Sequence, residues 1–167
     1  MSSLNDGKQE IVSWIKEHFP EGSTVLDVGA CDGKWAKLLT GYTIDAVEIF
    51  EPNIRVHNLK YKYRNVYNCN ILDYKYDYYD LIIFGDVIEH MQVWEAQVVL
   101  DYAKERCKDI IVGVPFLYPQ DEIYGNPYER HIQDDLTEVK FYERYKGFEL
   151  LLKPRHNYAY YKKGESK

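Results

Sequence analysis

A chain of 167 residues with a formal net charge of -6 and a pI near 5.4 is long enough for one hydrophobic core and too short for two ordinary domains, so we expect a single domain over 1–167. Hydrophobic residues at 46% and charged residues at 29% exclude wholesale disorder, and the acidic balance argues against nucleic acid as a partner, since that affinity depends on neutralising phosphates. Cys31, Cys69 and Cys107 are widely spaced without a CxxC pair, and the polar start of the chain and the lack of any bilayer-length apolar run point to a cytoplasmic protein with reduced thiols and no membrane partner.

In chain order, the ends at 1–8 and 163–167 read as loose. Ile11, Val12, Trp14, Ile15 and Phe19 recur at helical spacing until Pro20-Glu21-Gly22 stops the pattern. Thr24 to Val28 reads as a strand that ends at a glycine turn, and Lys34 to Leu39 as the helix after it. Thr43 to Ile49 gives a second strand, followed by a helix from Pro52 to Leu59. Asn65 to Asn68 is a weak third strand. Asp80 to Gly85 is a strong fourth, because Leu81, Ile82, Ile83 and Phe84 form the continuous apolar run of a strand buried on both faces. Val93 to Arg106 reads as a helix with Trp94, Val98 and Tyr102 on neighbouring turns, and Asp109 to Val114 as the fifth strand. Residues 115–131 open with a stretch that carries Pro115, Pro119 and Pro127 and a Gly-Asn-Pro break, the pattern of a substrate loop or lid. A helix over Asp135 to Tyr145 and a hairpin of Phe148 to Leu152 with Asn157 to Tyr161, turning around Pro154, complete the chain.

Strands that alternate with helices imply an α/β fold, a Rossmann-like, doubly wound, mostly parallel sheet of seven strands with an antiparallel strand near the C-terminus and helices on both faces. Ligands of such sheets bind beyond the carboxyl ends of the strands, where the strand order switches. The first strand runs into Gly29-Ala30-Cys31-Asp32-Gly33; Gly29 admits close backbone approach and Gly33 close helix packing. Glu48 ends the second strand about twenty residues on, where an acid can accept from ribose hydroxyls. Asp73, after the third strand, has two readings, an acceptor for an adenine amino group or a turn residue. A pyrophosphate-binding dinucleotide turn is disfavoured, because Asp32 would stand beside the phosphates.

The stretches VLDVGACDG, AVEIFEPN, NILDY and DLIIFGDVIEHM resemble, in order and near spacing, the class I S-adenosylmethionine-dependent methyltransferases, over nearly the whole chain. The resemblance implies S-adenosyl-L-methionine as cofactor. It places Asp27, Gly29, Ala30 and Gly33 around the methionine and ribose, Glu48 on the ribose, Ile49 beside the adenine, Asp73 on the adenine amine, and Asp86 at the methionine end. The turn departs from the family's GxGxG at its middle position, which is Cys31 here.

Methyl transfer is an in-line displacement that needs a base only when the acceptor must lose a proton. His90, just after the fourth strand, is the first candidate, with Glu89 and His131 as further catalytic residues. We read the site as metal-free, acting on an oxygen or nitrogen of a small molecule such as a sugar or aromatic metabolite; 17 tyrosines suit such a pocket. With few added elements, either the acceptor is small or a homodimer or partner chain completes its site. Two alternatives stand beside this. Asp86, Glu89, His90 and His131 resemble the magnesium set of the small-RNA 2'-O-methyltransferases, which would imply an RNA substrate. The other is a noncatalytic cofactor-binding module.

Overall fold

The computed structural model describes residues 7–164. Five helices, α1 (Lys8–His18), α2 (Lys34–Leu38), α3 (Glu51–Val56), α4 (Val93–Lys104) and α5 (Glu138–Arg144), surround seven strands: β1 (Thr24–Val28), β2 (Thr43–Val47), β3 (Asn65–Tyr67), β4 (Tyr79–Gly85), β5 (Cys107–Pro115), β6 (Phe148–Arg155) and β7 (Tyr158–Lys163). The strands form one sheet in the order β3-β2-β1-β4-β5-β7-β6. β1 to β5 pair in parallel, and β7 lies antiparallel between β5 and β6.

Side chains of a strand alternate between faces, and the two faces carry separate cores. Leu81 and Ile83 of β4 pack with Ile11, Val12 and Ile15 of α1, whereas Ile82 and Phe84 pack with Ala96, Val99 and Leu100 of α4. The apolar run in β4 is therefore explained by burial on both sides. In β7 the same rule sends Tyr158 and Tyr160 to the α1 face and Ala159 and Tyr161 to the α4 face. At Gly113 of β5 a Cβ would lie 2.7 Å from the Tyr158 hydroxyl, so glycine makes room for these rings.

Several boundaries differ from the sequence expectation. α4 buries Ala96, Val99, Leu100 and Ala103, while Trp94 and Val98 face solvent. The expected helix from Asp135 begins only after Thr137, whose side chain accepts from the Lys140 amide; Asp135 instead pairs with Lys140 and Arg144. The final turn lies after Arg155 rather than around Pro154. β6 is an edge strand with register shifts on either side of Leu152, and an edge or bulge is where a sheet tolerates proline.

Of the ends expected to be loose, 1–6 and 165–167 lie outside the described residues. Lys8 and Lys163, expected among them, are fixed. Lys8 opens α1 on its apolar face, 2% exposed, with Nζ 3.5 Å from the Tyr160 hydroxyl and 4.8 Å above the Trp35 ring. Burial, only partly opposed by Asp86 and Asp27, lowers its amine to about 8. Lys163 closes β7 and donates to the Lys104 carbonyl.

Asp27 of β1 points into the α1 face, 1% exposed, and accepts from the Tyr63 hydroxyl at 2.5 Å. Burial pushes its carboxyl up to about 7, against the opposing pull of that hydrogen bond. The folded chain thus holds a proton that an unfolded chain releases at about pH 4, so native stability falls as pH rises between those values. Relative to Asp27→Asn, the wild type should lose up to about 1.4 kcal/mol per pH unit across that interval, measured by denaturant unfolding at a series of pH values. Parallel curves for the two proteins would refute the assignment.

Candidate active site

A cleft of about 350 Å³ opens at the carboxyl ends of β1, β2 and β4, on the switch in strand order between β1 and β4. Its floor is the turn after β1. Gly29 has a φ of 71°, and a Cβ there would come within 2.8 Å of Val87, so only glycine fits. Cys31 also takes a left-handed φ, 47°, a conformation in which glycine would be relaxed. This is the position where the sequence departs from the glycine pattern, and the turn keeps its shape because the Cys31 amide donates to Glu48 Oε2 at 2.8 Å.

Glu48 follows β2, 4% exposed, and its second oxygen accepts from the Phe50 amide at 2.8 Å. Burial raises its carboxyl and the two amides oppose the shift. The carboxylate is therefore oriented, with capacity left for further donors from the cleft. Gly29, Ala30, Ile49 and Asp86 line the same cleft, as the sequence anticipates.

Three anticipated residues do not line it. Asp27 faces the opposite side of the sheet toward Tyr63. Gly33 starts α2, and a Cβ there would meet Lys62 at 2.8 Å and Leu59 at 3.2 Å, so its role is packing. Asp73 is exposed in the turn after β3, its amide bonded to the Asn70 carbonyl at 3.0 Å. Asn70 and Leu72 line the cleft in its stead, the Asn70 side chain accepting from the Leu72 amide at 3.0 Å.

The fourth strand delivers Asp86 in a left-handed φ of 56°, then a single helical turn over Ile88–His90. Glu89 is fully buried, and neither carboxylate oxygen has a hydrogen-bond partner among the described residues. Burial first, then Asp86, drives its carboxyl well up. His90 Nδ1 lies 3.1 Å from the Arg130 carbonyl and His131 Nδ1 2.6 Å from the Tyr118 carbonyl. A carbonyl only accepts, so each ring donates from Nδ1 and leaves Nε2 as an acceptor. Burial lowers His90 to about 4, assisted by His131, and burial also lowers His131. Burial thus favours the neutral form of both rings. Glu89, His90 and His131 each bring a ligand atom within 4.8 Å of the other two, a set that could hold a metal; Asp86, anticipated as a fourth ligand, is not part of it.

The loop after β5 forms the outer wall through Tyr118, Gln120, Asn126, Tyr128, Glu129 and His131. It is fastened to the turn over Ile88–His90: the amides of Ile132 and Gln133 both donate to the Glu89 carbonyl, at 2.8 and 2.9 Å. The sequence carried no hint of Gln133, which is 3% exposed. Its amide nitrogen donates to the carbonyls of Ile88 and Met91 at 2.7 and 3.1 Å, and its oxygen accepts from Tyr145 and Arg144.

A doubly wound sheet with its ligand cleft at the β1/β4 switch defines a Rossmann-like domain. A family model described as a methyltransferase domain matches residues 4–111; the chain belongs to that family and is a methyltransferase. Solved structures share the fold at low identity. Magnesium protoporphyrin IX methyltransferase from Synechocystis PCC 6803, with bound SAH, is 15% identical with a TM-score of 0.67, over 95% of this chain and 81% of that one. The N-terminal domain of EvdMO1, with SAH and D-fucose, is 15% identical with a TM-score of 0.70, over 99% and 85%. The 1,6-didemethyltoxoflavin-N1-methyltransferase of Burkholderia thailandensis, with its substrate and S-adenosylhomocysteine, is 16% identical with a TM-score of 0.68, over 94% and 78%. No curated protein matches the chain. Among the described residues no helix is long and apolar enough to cross a membrane.

Replacing Gln133 by leucine strands the carbonyls of Ile88 and Met91 and the Tyr145 hydroxyl. We expect a loss of about 3 kcal/mol, seen as a fall in melting temperature of roughly 6–12 °C. An unchanged melting curve would show that the clamp carries no stability.

Proposed function

We propose that this protein binds S-adenosyl-L-methionine in the cleft and transfers its methyl group to an oxygen or nitrogen of a small molecule. The observation that carries the reading is the buried Glu48 carboxylate, aimed by the amides of Cys31 and Phe50 at the end of β2, across from a glycine turn too tight for a Cβ. A ribose hydroxyl can donate to the acceptor capacity this carboxylate keeps, and Ile49 and Leu72 offer apolar surface for a base beside it. The ribose and adenine thus fall to Glu48, Ile49, Asn70 and Leu72, and the methionine end to Gly29, Ala30 and Asp86. Structural relatives crystallised with SAM or SAH support this cofactor.

When bound, the cofactor supplies an electrophilic methyl group on a sulfonium. The chain's part is to hold the acceptor in line with it and to receive a proton. His90 stands in its accepting form throughout the neutral range, its ring oriented by the Arg130 carbonyl, and we assign it as the general base. Glu89 and His131 share its pocket. An outer wall drawn from a single loop, with Tyr118, Gln120, Tyr128 and Glu129 among its residues, supports a small acceptor.

Calorimetry should show one S-adenosylhomocysteine bound per chain, and Glu48→Ala should weaken it by about 10- to 100-fold through loss of hydrogen bonds to a charged group. No uptake by folded wild type would overturn the cofactor assignment. His90→Ala should bind the same ligand normally yet reduce turnover by about 100-fold or more with any acceptor found by screening. Retained turnover would remove His90 from the mechanism.

A further inference from the structure

We propose that the methyl acceptor is an amine, received by this cleft as its ammonium form and methylated on nitrogen. The inference rests on the methyl-transfer reading and names the acceptor class for the same site.

The side chains around the cleft are unbalanced in charge. Asp32, Glu48, Asp86, Glu89, Glu95 and Glu129 line it, against Lys34 as the one lysine or arginine among the lining residues described. Arg130, next to the site in sequence, directs its guanidinium to Asp121 and Glu122 at 3.7 and 3.5 Å. Some of this negative charge suits the sulfonium. Glu48 is assigned to the cofactor's ribose, and Glu95 accepts from the Gln92 amide at the start of α4.

Glu89 has no such explanation. It is fully buried, lines the cleft, and neither of its oxygens has a hydrogen-bond donor among the described residues. A buried carboxyl group with both oxygens unpartnered is unfavourable, and an ammonium offers it several N–H donors where a neutral alcohol supplies one. A phosphate or carboxylate acceptor would add repulsion, which also weighs against an RNA substrate. Tyr118 and Tyr128 add aromatic rings to the outer wall, and such rings together with carboxylates are a recurrent means of holding ammonium groups.

The histidines complete the chemistry. An ammonium nitrogen has no lone pair and must first lose a proton. His90 and His131 each spend Nδ1–H on a carbonyl, so in the neutral ring Nε2 is the atom that can accept a proton. The proton passes from the ammonium to Nε2 of His90 and on to solvent. The freed nitrogen pair forms a bond to the methyl carbon as that carbon's bond to sulfur breaks, its electron pair going to sulfur. The products are an N-methylammonium, a neutral thioether and the released proton.

The test is calorimetry on chelator-treated full-length protein loaded with S-adenosylhomocysteine, with three probes of one scaffold: benzylammonium, benzyl alcohol and benzoate, near neutral pH. Benzylammonium should bind at least about tenfold more tightly than benzyl alcohol, and benzoate should not bind. Glu89→Gln should erase that preference, and Glu129→Gln, remote from the core, should reduce it if the first variant fails to fold. Equal binding of the alcohol, binding of benzoate, no binding of any probe, or a preference that survives in both variants overturns the proposal. So does stoichiometric capture of manganese or zinc that depends on Glu89 and His90 and resists benzylammonium, since the pocket would then be a metal site. Failure to load S-adenosylhomocysteine overturns the methyl-transfer reading itself, and this inference with it.

Discussion

The site depends on one buried amide. Gln133 reaches under the turn that follows β4, occupies the carbonyls of Ile88 and Met91, and takes hydrogen bonds from Tyr145 and Arg144 on the other side. All of its donor and acceptor capacity is used. The turn that holds Glu89 and His90 has only three helical residues, too few for its own hydrogen bonds to hold it. Its orientation is borrowed from the segment around Gln133, and through Arg144 and Tyr145 from α5 and its flank. The outer wall and the floor of the cleft are thereby one mechanical unit, which a chemistry sensitive to small displacements requires.

The opposite face of the sheet carries a second polar arrangement inside an apolar core. Lys8 and Asp27 are both buried there, displaced in opposite senses by the loss of water: the amine toward neutrality and the carboxyl toward protonation. Each has a tyrosine at hand, Tyr160 for the amine and Tyr63 for the carboxyl. Neither lines the cleft: Asp27 belongs to β1 itself, and Lys8 reaches the Trp35 and Tyr160 rings.

Much of the fold was readable from residue order, because strands alternate with helices and the apolar run Leu81–Phe84 of β4 fits a strand covered on both faces. Helix starts were less readable. Asp135 looks like part of a helix, yet it lies ahead of the Thr137 cap and serves Lys140 and Arg144. In the site, Gly29, Glu48 and Asp86 were legible as strand ends. Asp27 was not, because an acid in a buried strand reads the same whether it meets a ligand or a tyrosine distant in sequence. Lys8 did leave a trace: it lies three, four and seven residues before Ile11, Val12 and Ile15, on the same helical face. Gln133 left none, since its value comes wholly from carbonyls that folding brings to it.

The margins of the sheet bear on how copies of this chain meet. At one side β3 is three residues long. At the other, β6 combines Pro154 with two breaks in register and charged residues such as Glu149, Lys153 and Arg155 along its length. Neither border offers a long, flat row of amides and carbonyls to a neighbour's strand. Among the described residues, a strand so short at one border and so broken in register at the other is a poor template for continuing one sheet into the next.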